Sequence, residues 1–147
     1  MFKGHFVNSI NDKGRLSIPS RFRDELNLCG TDKLIITKGI ESCLVAYSPD
    51  EWEKVEEKAS RLSSYKPAGI FYKRHVIGSA DECTIDAQGR ILVHASLRDY
   101  AGLKNKCLFV GITDRFEIWN HETYEKIMKE ALASTGDLRE ELAKLGL

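Results

Sequence analysis

The sequence predicts an α+β fold: mainly a small β-barrel with flanking helices, assembled from two copies of one unit related by a pseudo-two-fold axis. Three observations carry this. INDKGRLSIPSRFRD (10–24) is repeated without gaps as IDAQGRILVHASLRD (85–99), so that Asn11 aligns with Asp86, Gly14 with Gly89, Arg15 with Arg90, Arg23 with Arg98 and Asp24 with Asp99. The following stretch, ITKGIESCLVAYSPDEWEKV (36–55), parallels FVGITDRFEIWNHETYEKI (109–127), with Tyr47 over Trp119 and Trp52 over Tyr124. A repeated unit of about 70 residues buries too little surface to be stable alone, so the halves 1–76 and 77–147 are expected to share one core. In each half the short β-rich runs leave unpaired edges. Pairing those edges between the halves closes a barrel and removes them, whereas two packed hairpin pairs would leave an open sandwich.

The elements follow in order. His5 to Ile10 and Leu16 to Ile18 read as strands joined by the Asn11–Gly14 turn, in which Gly14 supplies the positive φ of a tight hairpin. Pro19 opens a short helix, PSRFRDEL, with Phe22 and Leu26 four apart and facing inward. LIIT (34–37) and CLVAY (43–47) are strand-forming, with KGIES as the turn between them. Ser48, Pro49 and Glu51 make a capping box, and the helix it starts carries Trp52, Val55, Ala59 and Leu62 as an inward stripe. PAGIFYKRHVIG (67–78) is a second helical stretch. In the second half Asn120 caps a helix holding Tyr124, Ile127, Met128, Ala131 and Leu132. STGD (134–137) then breaks the chain, and DLREELAKLGL (137–147) forms a last helix with Leu138, Leu142 and Leu145 on one side.

Composition narrows the function. The 147 residues hold 22 basic and 22 acidic side chains, so only a local patch can draw the chain to nucleic acid. Such a patch exists: residues 1–24 carry Lys3, Lys13, Arg15, Arg21 and Arg23 against Asp12 and Asp24, while residues 114–147 hold five basic and eight acidic side chains. No window is apolar enough for a membrane span and the N-terminus lacks the apolar core of a signal peptide, so a cytoplasmic protein is expected. Cys29, Cys43, Cys83 and Cys107 show no CxxC spacing, which points to free thiols and no metal. His5, His75, His94 and His121 have no ligand spacing, and there is no GxSxG and no glycine-rich phosphate loop. Glu82 and Asp86, four apart, have no partner acid or base. The sequence therefore reads as a non-enzyme, with no cofactor and no small-molecule substrate.

The chemistry lies in the repeated turns. Arg15 and Arg90 each follow the glycine of a turn, and pseudo-symmetry places both turns on one rim. Lys13 and Gln88 stand two residues before them. A guanidinium forks onto guanine or clamps phosphate, and a glutamine reads adenine. Arg21, Arg23 and Arg98 on the short helices are positioned for flanking phosphates. An internal role is equally open: Asp86 with Arg90 as a turn salt bridge, and the pairs Arg23 with Asp24 and Arg98 with Asp99 as structural contacts.

NDKGRLSIPSRFRDEL, IDAQGRILVHASLRDYAGL, the link RLSSYKPAGIFYKRHVIGSADEC and the ending TGDLREELAKLGL together resemble the MraZ family of bacterial transcriptional regulators, over essentially the whole chain. The family's duplicated DxxGR signature stands here as NDKGR and DAQGR. The resemblance implies two fused AbrB-type swapped-hairpin units, a double-split β-α-β barrel. It implies a cytoplasmic, nucleoid-associated DNA-binding repressor acting on tandem promoter boxes upstream of its own division and cell-wall gene cluster. It further implies a homo-oligomeric ring, commonly an octamer. The DNA-contacting motif then falls on Asn11 through Arg15 and on Asp86 through Arg90. Asn11 departs from the pattern's aspartate: it still makes the turn's bond to backbone but cannot hold Arg15 by charge. Gln88 stands where lysine is common, so the second turn is the less basic.

A second class is an antitoxin-like module that binds DNA at the barrel and a partner protein through its tail. Antitoxin units are single copies that dimerise, and a leucine-striped helix over 137–147 is unlike their long disordered tails.

Overall fold

Two strands of unequal length begin the chain: β1 (Phe2–Ser9) and, after the Asn11–Gly14 turn, β2 (Arg15–Ser17). The helix α1 (Ser20–Leu28) is followed by β3 (Lys33–Lys38), β4 (Leu44–Tyr47), α2 (Pro49–Ser60) and α3 (Pro67–His75). A single 3-10 turn, Ile77–Ser79, leads to β5 (Asp81–Thr84) and β6 (Arg90–Leu92). Then come α4 (Ala95–Ala101), β7 (Lys106–Thr113), β8 (Arg115–Trp119), α5 (His121–Ala133) and α6 (Thr135–Lys144). The computed structural model describes all residues from Met1 to Leu147.

Strand pairing crosses between the halves of the chain. Six strands form one antiparallel sheet in the order β1-β7-β8-β4-β3-β5, and β2 pairs with β6 in a separate ribbon. β1 runs against β7 from Phe2↔Thr113 to Ser9↔Lys106, and β5 runs against β3 from Asp81↔Ile36 to Thr84↔Lys33. The β2–β6 ribbon is set by Leu16↔Ile91. The expected closed barrel is not formed: the six-stranded sheet is open, with β1 and β5 at its edges. β2 and β6 are three residues each, and β1 meets β2 only at a lone bridge, Ile10↔Leu16, so the ribbon stays separate from the large sheet. Each edge strand touches the ribbon through one side chain: Asn8 Nδ2 donates to the Ser17 carbonyl at 3.0 Å and Cys83 Sγ reaches the Leu92 carbonyl at 3.6 Å.

Each face of the large sheet has its own core. One face packs on the β2–β6 ribbon, α1 and α4 through Leu16, Ile18, Phe22, Leu26, Ile91, Val93 and Leu97, with Phe109, Phe116 and Ile118 from the sheet. Phe22 is the centre, with ring centroids 5.4 Å from Phe2, 5.2 Å from Phe6 and 4.6 Å from Phe116. The other face, Ile35, Val45, Tyr47, Leu108, Val110 and Trp119, packs on Trp52 and Val76, with Val55, Tyr72, Tyr124 and Ile127 partly buried beside them. β4 is buried on both faces, which accounts for its unbroken apolar run.

Helix starts follow their caps. Ser48 Oγ accepts from the Glu51 amide at 3.4 Å, and Asn120 Oδ1 accepts from the Thr123 amide at 3.1 Å. The reciprocal half of the Ser48 capping box is absent, because the Glu51 carboxylate takes the Lys54 ammonium at 2.9 Å. α2 ends at Ser60, so Leu62 lies outside its stripe, 40% exposed. The break expected over 134–137 narrows to Ser134, with α6 already under way at Thr135. Neither α5 nor α6 buries a whole residue, and Leu132, Leu138, Leu142 and Leu145 are all exposed. No helix is long and apolar enough to cross a membrane.

Phe22→Ala removes the ring on which four other phenylalanines converge. It is expected to lower unfolding stability by about 3–5 kcal/mol, read from the midpoint of urea denaturation.

Candidate nucleic-acid interface

The two Gly-Arg turns are built from the same bonds. In the first, the Gly14 amide donates to the Asn11 carbonyl and the Asn11 amide to the Arg15 carbonyl, both at 3.0 Å. In the second, Gly89 donates to Asp86 and Asp86 to Arg90, both at 2.9 Å. Asn11 Oδ1 accepts from the amides of Lys13 (3.1 Å) and Arg15 (2.9 Å), and Asp86 Oδ1 from those of Gln88 (2.8 Å) and Arg90 (3.0 Å). One side-chain oxygen thus ties down two amides in each turn, and asparagine and aspartate serve equally. Gly14 and Gly89 have φ of +88° and +76°, where a side chain is strained.

The turns flank one short ribbon. β2 and β6 run antiparallel, Arg15↔Leu92 and Ser17↔Arg90, so the turn that precedes each strand stands at its own end of the ribbon, and the Arg15 side chain spans the ribbon toward the second turn. The Ile18 amide donates to the Gly89 carbonyl at 2.9 Å, and the Val93 amide to the Gly14 carbonyl at 2.8 Å. Asp86 Oδ2 lies 3.9 Å from both Arg15 Nη1 and Arg90 Nε. The carboxylate that Asn11 cannot provide for Arg15 therefore comes from the opposite turn. Arg90 Nη2 also donates to Gln88 Oε1, while Arg90 Nε is buried without a hydrogen-bond partner. Lys13, Arg15 and Gln88 are exposed at the tips, and Arg15 keeps 43% of its side chain open to solvent.

The helix arginines divide into two groups. Arg23 and Arg98 reach the turns: Arg23 Nε donates to the Ile18 carbonyl at 3.2 Å and Arg98 Nε to the Val93 carbonyl at 3.1 Å, both half-buried. No ion pair forms between Arg23 and Asp24 or between Arg98 and Asp99; the arginines turn toward the tips instead. Arg21 is not brought there. It lines a hollow with Met1, Lys3 and Glu25, near the start of β1, roughly 20 Å of strand from the first turn. Around the tips, Lys13, Arg15, Arg23, Arg90 and Arg98 outnumber Asp12 and Asp86, so the local field is positive although the whole chain is neutral. Sequence reading missed the contact of Arg15 with Asp86 and those of Arg23 and Arg98 with the tips. The crossed pairing of β2 with β6 creates the contacts, and no local pattern encodes that pairing.

The same stretches carry the likeness to known proteins. A family model described as "MraZ protein, putative antitoxin-like" matches residues 1–72 and again residues 76–144. This chain belongs to the MraZ family. Among MraZ relatives, a protein of Pediococcus pentosaceus is 40% identical over 147 residues, covering all of both chains. One of Syntrophobacter fumaroxidans is 41% identical over 146 residues, covering 99% of this chain and 97% of its own. One of Shewanella denitrificans is 40% identical over 132 residues, covering 89% and 87%. Each of these relatives is named transcriptional regulator MraZ.

The amides of Arg90 and Gln88, with the charges of Arg90 and Arg15, hold the Asp86 carboxyl below the usual carboxylate range. A carboxyl lowered in the folded state stabilises the tips fully above the ordinary value near ~4. That contribution is lost as the pH falls through the lowered value. The Arg15 and Arg90 guanidinium NMR signals should therefore titrate together in acid, and Asp86→Asn should abolish that titration while keeping the turn.

Proposed function

We propose that this protein is a sequence-specific DNA-binding transcriptional regulator, a repressor of its own division and cell-wall gene cluster. The observation that carries the reading is the pair of tips at the two ends of one three-residue ribbon, linked by the Arg15–Asp86 contact, with Lys13, Arg15 and Gln88 exposed and Arg90 beside them in a positive cluster. Arg15 and Arg90 are shaped for guanine edges or phosphate, Gln88 for adenine, and Lys13 for phosphate. Asn11 and Asp86 shape the turns rather than touch DNA, and Arg21 lies too far along β1 for the same groove. Two repeats, 1–76 and 77–147, of the AbrB-type swapped-hairpin kind account for the crossed strand order and for the family model matching twice.

One rim makes few contacts, so a single box is bound weakly. Several protomers at fixed spacing on tandem boxes gain by effective concentration. Assembly into a nucleoid-associated ring supplies that spacing. The uncovered leucines of α6 (Leu138 and Leu142) and Leu145 just beyond it support such assembly, being more apolar surface than a lone short helix ordinarily exposes. The antitoxin-like reading requires a disordered docking tail, whereas the tail here is the helix Thr135–Lys144.

Gel shifts on the duplex upstream of the gene should show tandem boxes bound more tightly than one box, with affinity falling as salt rises. Arg15→Ala should weaken binding by about 10-fold or more, the worth of one good base contact at ~1–3 kcal/mol. Equal binding of one box and of tandem boxes would refute the avidity step. Light scattering on Leu138→Glu/Leu142→Glu should show smaller particles than the wild-type chain, with the tips still folded.

A further inference from the structure

Arg23 and Arg98 each pack against the turn of the opposite half. A methyl group on Gly89 would stand 2.8 Å from Arg23 Cζ and 2.9 Å from its Nε and Nη1, so the guanidinium lies directly on the glycine of the second turn. A methyl group on Gly14 would stand 2.9 Å from Arg98 Nε and 3.1 Å from its Cζ, so Arg98 covers the first turn in the same way. Arg98 Nη1 also reaches the Asp12 carbonyl in that turn, at 3.5 Å.

Each contact closes a circuit. The Gly89 carbonyl accepts from the Ile18 amide, the Ile18 carbonyl accepts from Arg23 Nε, and the Arg23 guanidinium returns to Gly89. Gly14, Val93 and Arg98 make the matching circuit from the other side. Only glycine leaves room for the flat group, and only arginine offers both a planar cover and an Nε donor fixed in that plane. We infer that Arg23 and Arg98 are positioning residues, each clamping the DNA-reading tip of the opposite half, and not phosphate contacts. The assignment rests on the proposed reading of the tips for its purpose, but the clamp itself is a property of the free protein.

Arginine-to-lysine exchange separates the two roles, because lysine keeps the charge a phosphate needs and loses the planar cover and the Nε donor. In the DNA-free protein, amide hydrogen exchange followed by NMR should show a crossed pattern. Arg98→Lys should speed exchange at Gly14 and Arg15 by about tenfold while leaving Gly89 and Arg90 at wild-type rates, and Arg23→Lys should do the reverse. Arg98→Met, which keeps the apolar stem and removes every donor, should repeat the Arg98→Lys pattern. Acceleration in a residue's own half, in both turns alike, throughout β4, or nowhere would overturn the inference. On duplex DNA the lysine variants should bind about tenfold more weakly with an unchanged slope of log affinity against log salt. Wild-type affinity in the lysine variants would return both arginines to the phosphate role. Failure of the wild-type protein to bind any duplex would remove the regulator reading and leave the exchange result to decide the clamp.

Discussion

The crossed hydrogen bonds between Gly14 and Val93 and between Gly89 and Ile18 are the constraint on which the molecule depends. They join the tip of each hairpin to the start of the helix in the other half. β2 and β6 are only three residues long, and such a ribbon is marginal in water by itself. Anchoring its ends to turns and helix starts, and burying Leu16 and Ile91 completely beneath it, makes the ribbon a fixed platform. A loop tip is ordinarily the least ordered part of a hairpin. Here both tips are held on three sides, by their own Asx bonds, by the opposite backbone and by an arginine.

Charge is arranged on the same plan. A single carboxylate, Asp86, faces two guanidiniums at equal distances of 3.9 Å. These are loose, partly exposed contacts of the kind that contributes little to stability. They orient long side chains without neutralising the positive cluster, which suits the proposed role, where one anionic partner is exchanged for another. Two buried thiols are pushed the other way: desolvation, with the Asp81 carboxylate 3.6 Å away, raises Cys83 to about 12, and desolvation alone raises Cys107 to about 11, so both stay protonated packing groups.

Much of the fold was legible in the sequence because local rules decide it. Phe22 and Leu26 at helical spacing are buried, the oxygens of Ser48 and Asn120 cap their helices, and Asn11 and Asp86 tie their turns. The rest depended on partners distant in sequence. The edges were expected to close into a barrel, but β1 meets β2 at a single bridge, Ile10↔Leu16, too little to carry the ladder round. Asn11 promised an unheld Arg15, until Asp86 arrived from 75 positions along the alignment. Arg21 and Arg23, two residues apart on one helix, face opposite ways, so a basic stretch that looked uniform is split between the hollow by Met1 and the second turn.

The rim is not a perfect copy of itself under half a turn. One tip carries an ammonium and a neutral amide where the other carries an amide and a carboxylate, through Lys13 and Asn11 against Gln88 and Asp86. A reader with true two-fold symmetry is matched by a palindrome. Lopsided chemistry on a nearly symmetric frame instead gives the molecule a head and a tail along its ligand. Under the proposed DNA reading, copies laid down with a common polarity would call for sites that all run the same way, repeated in one direction rather than inverted.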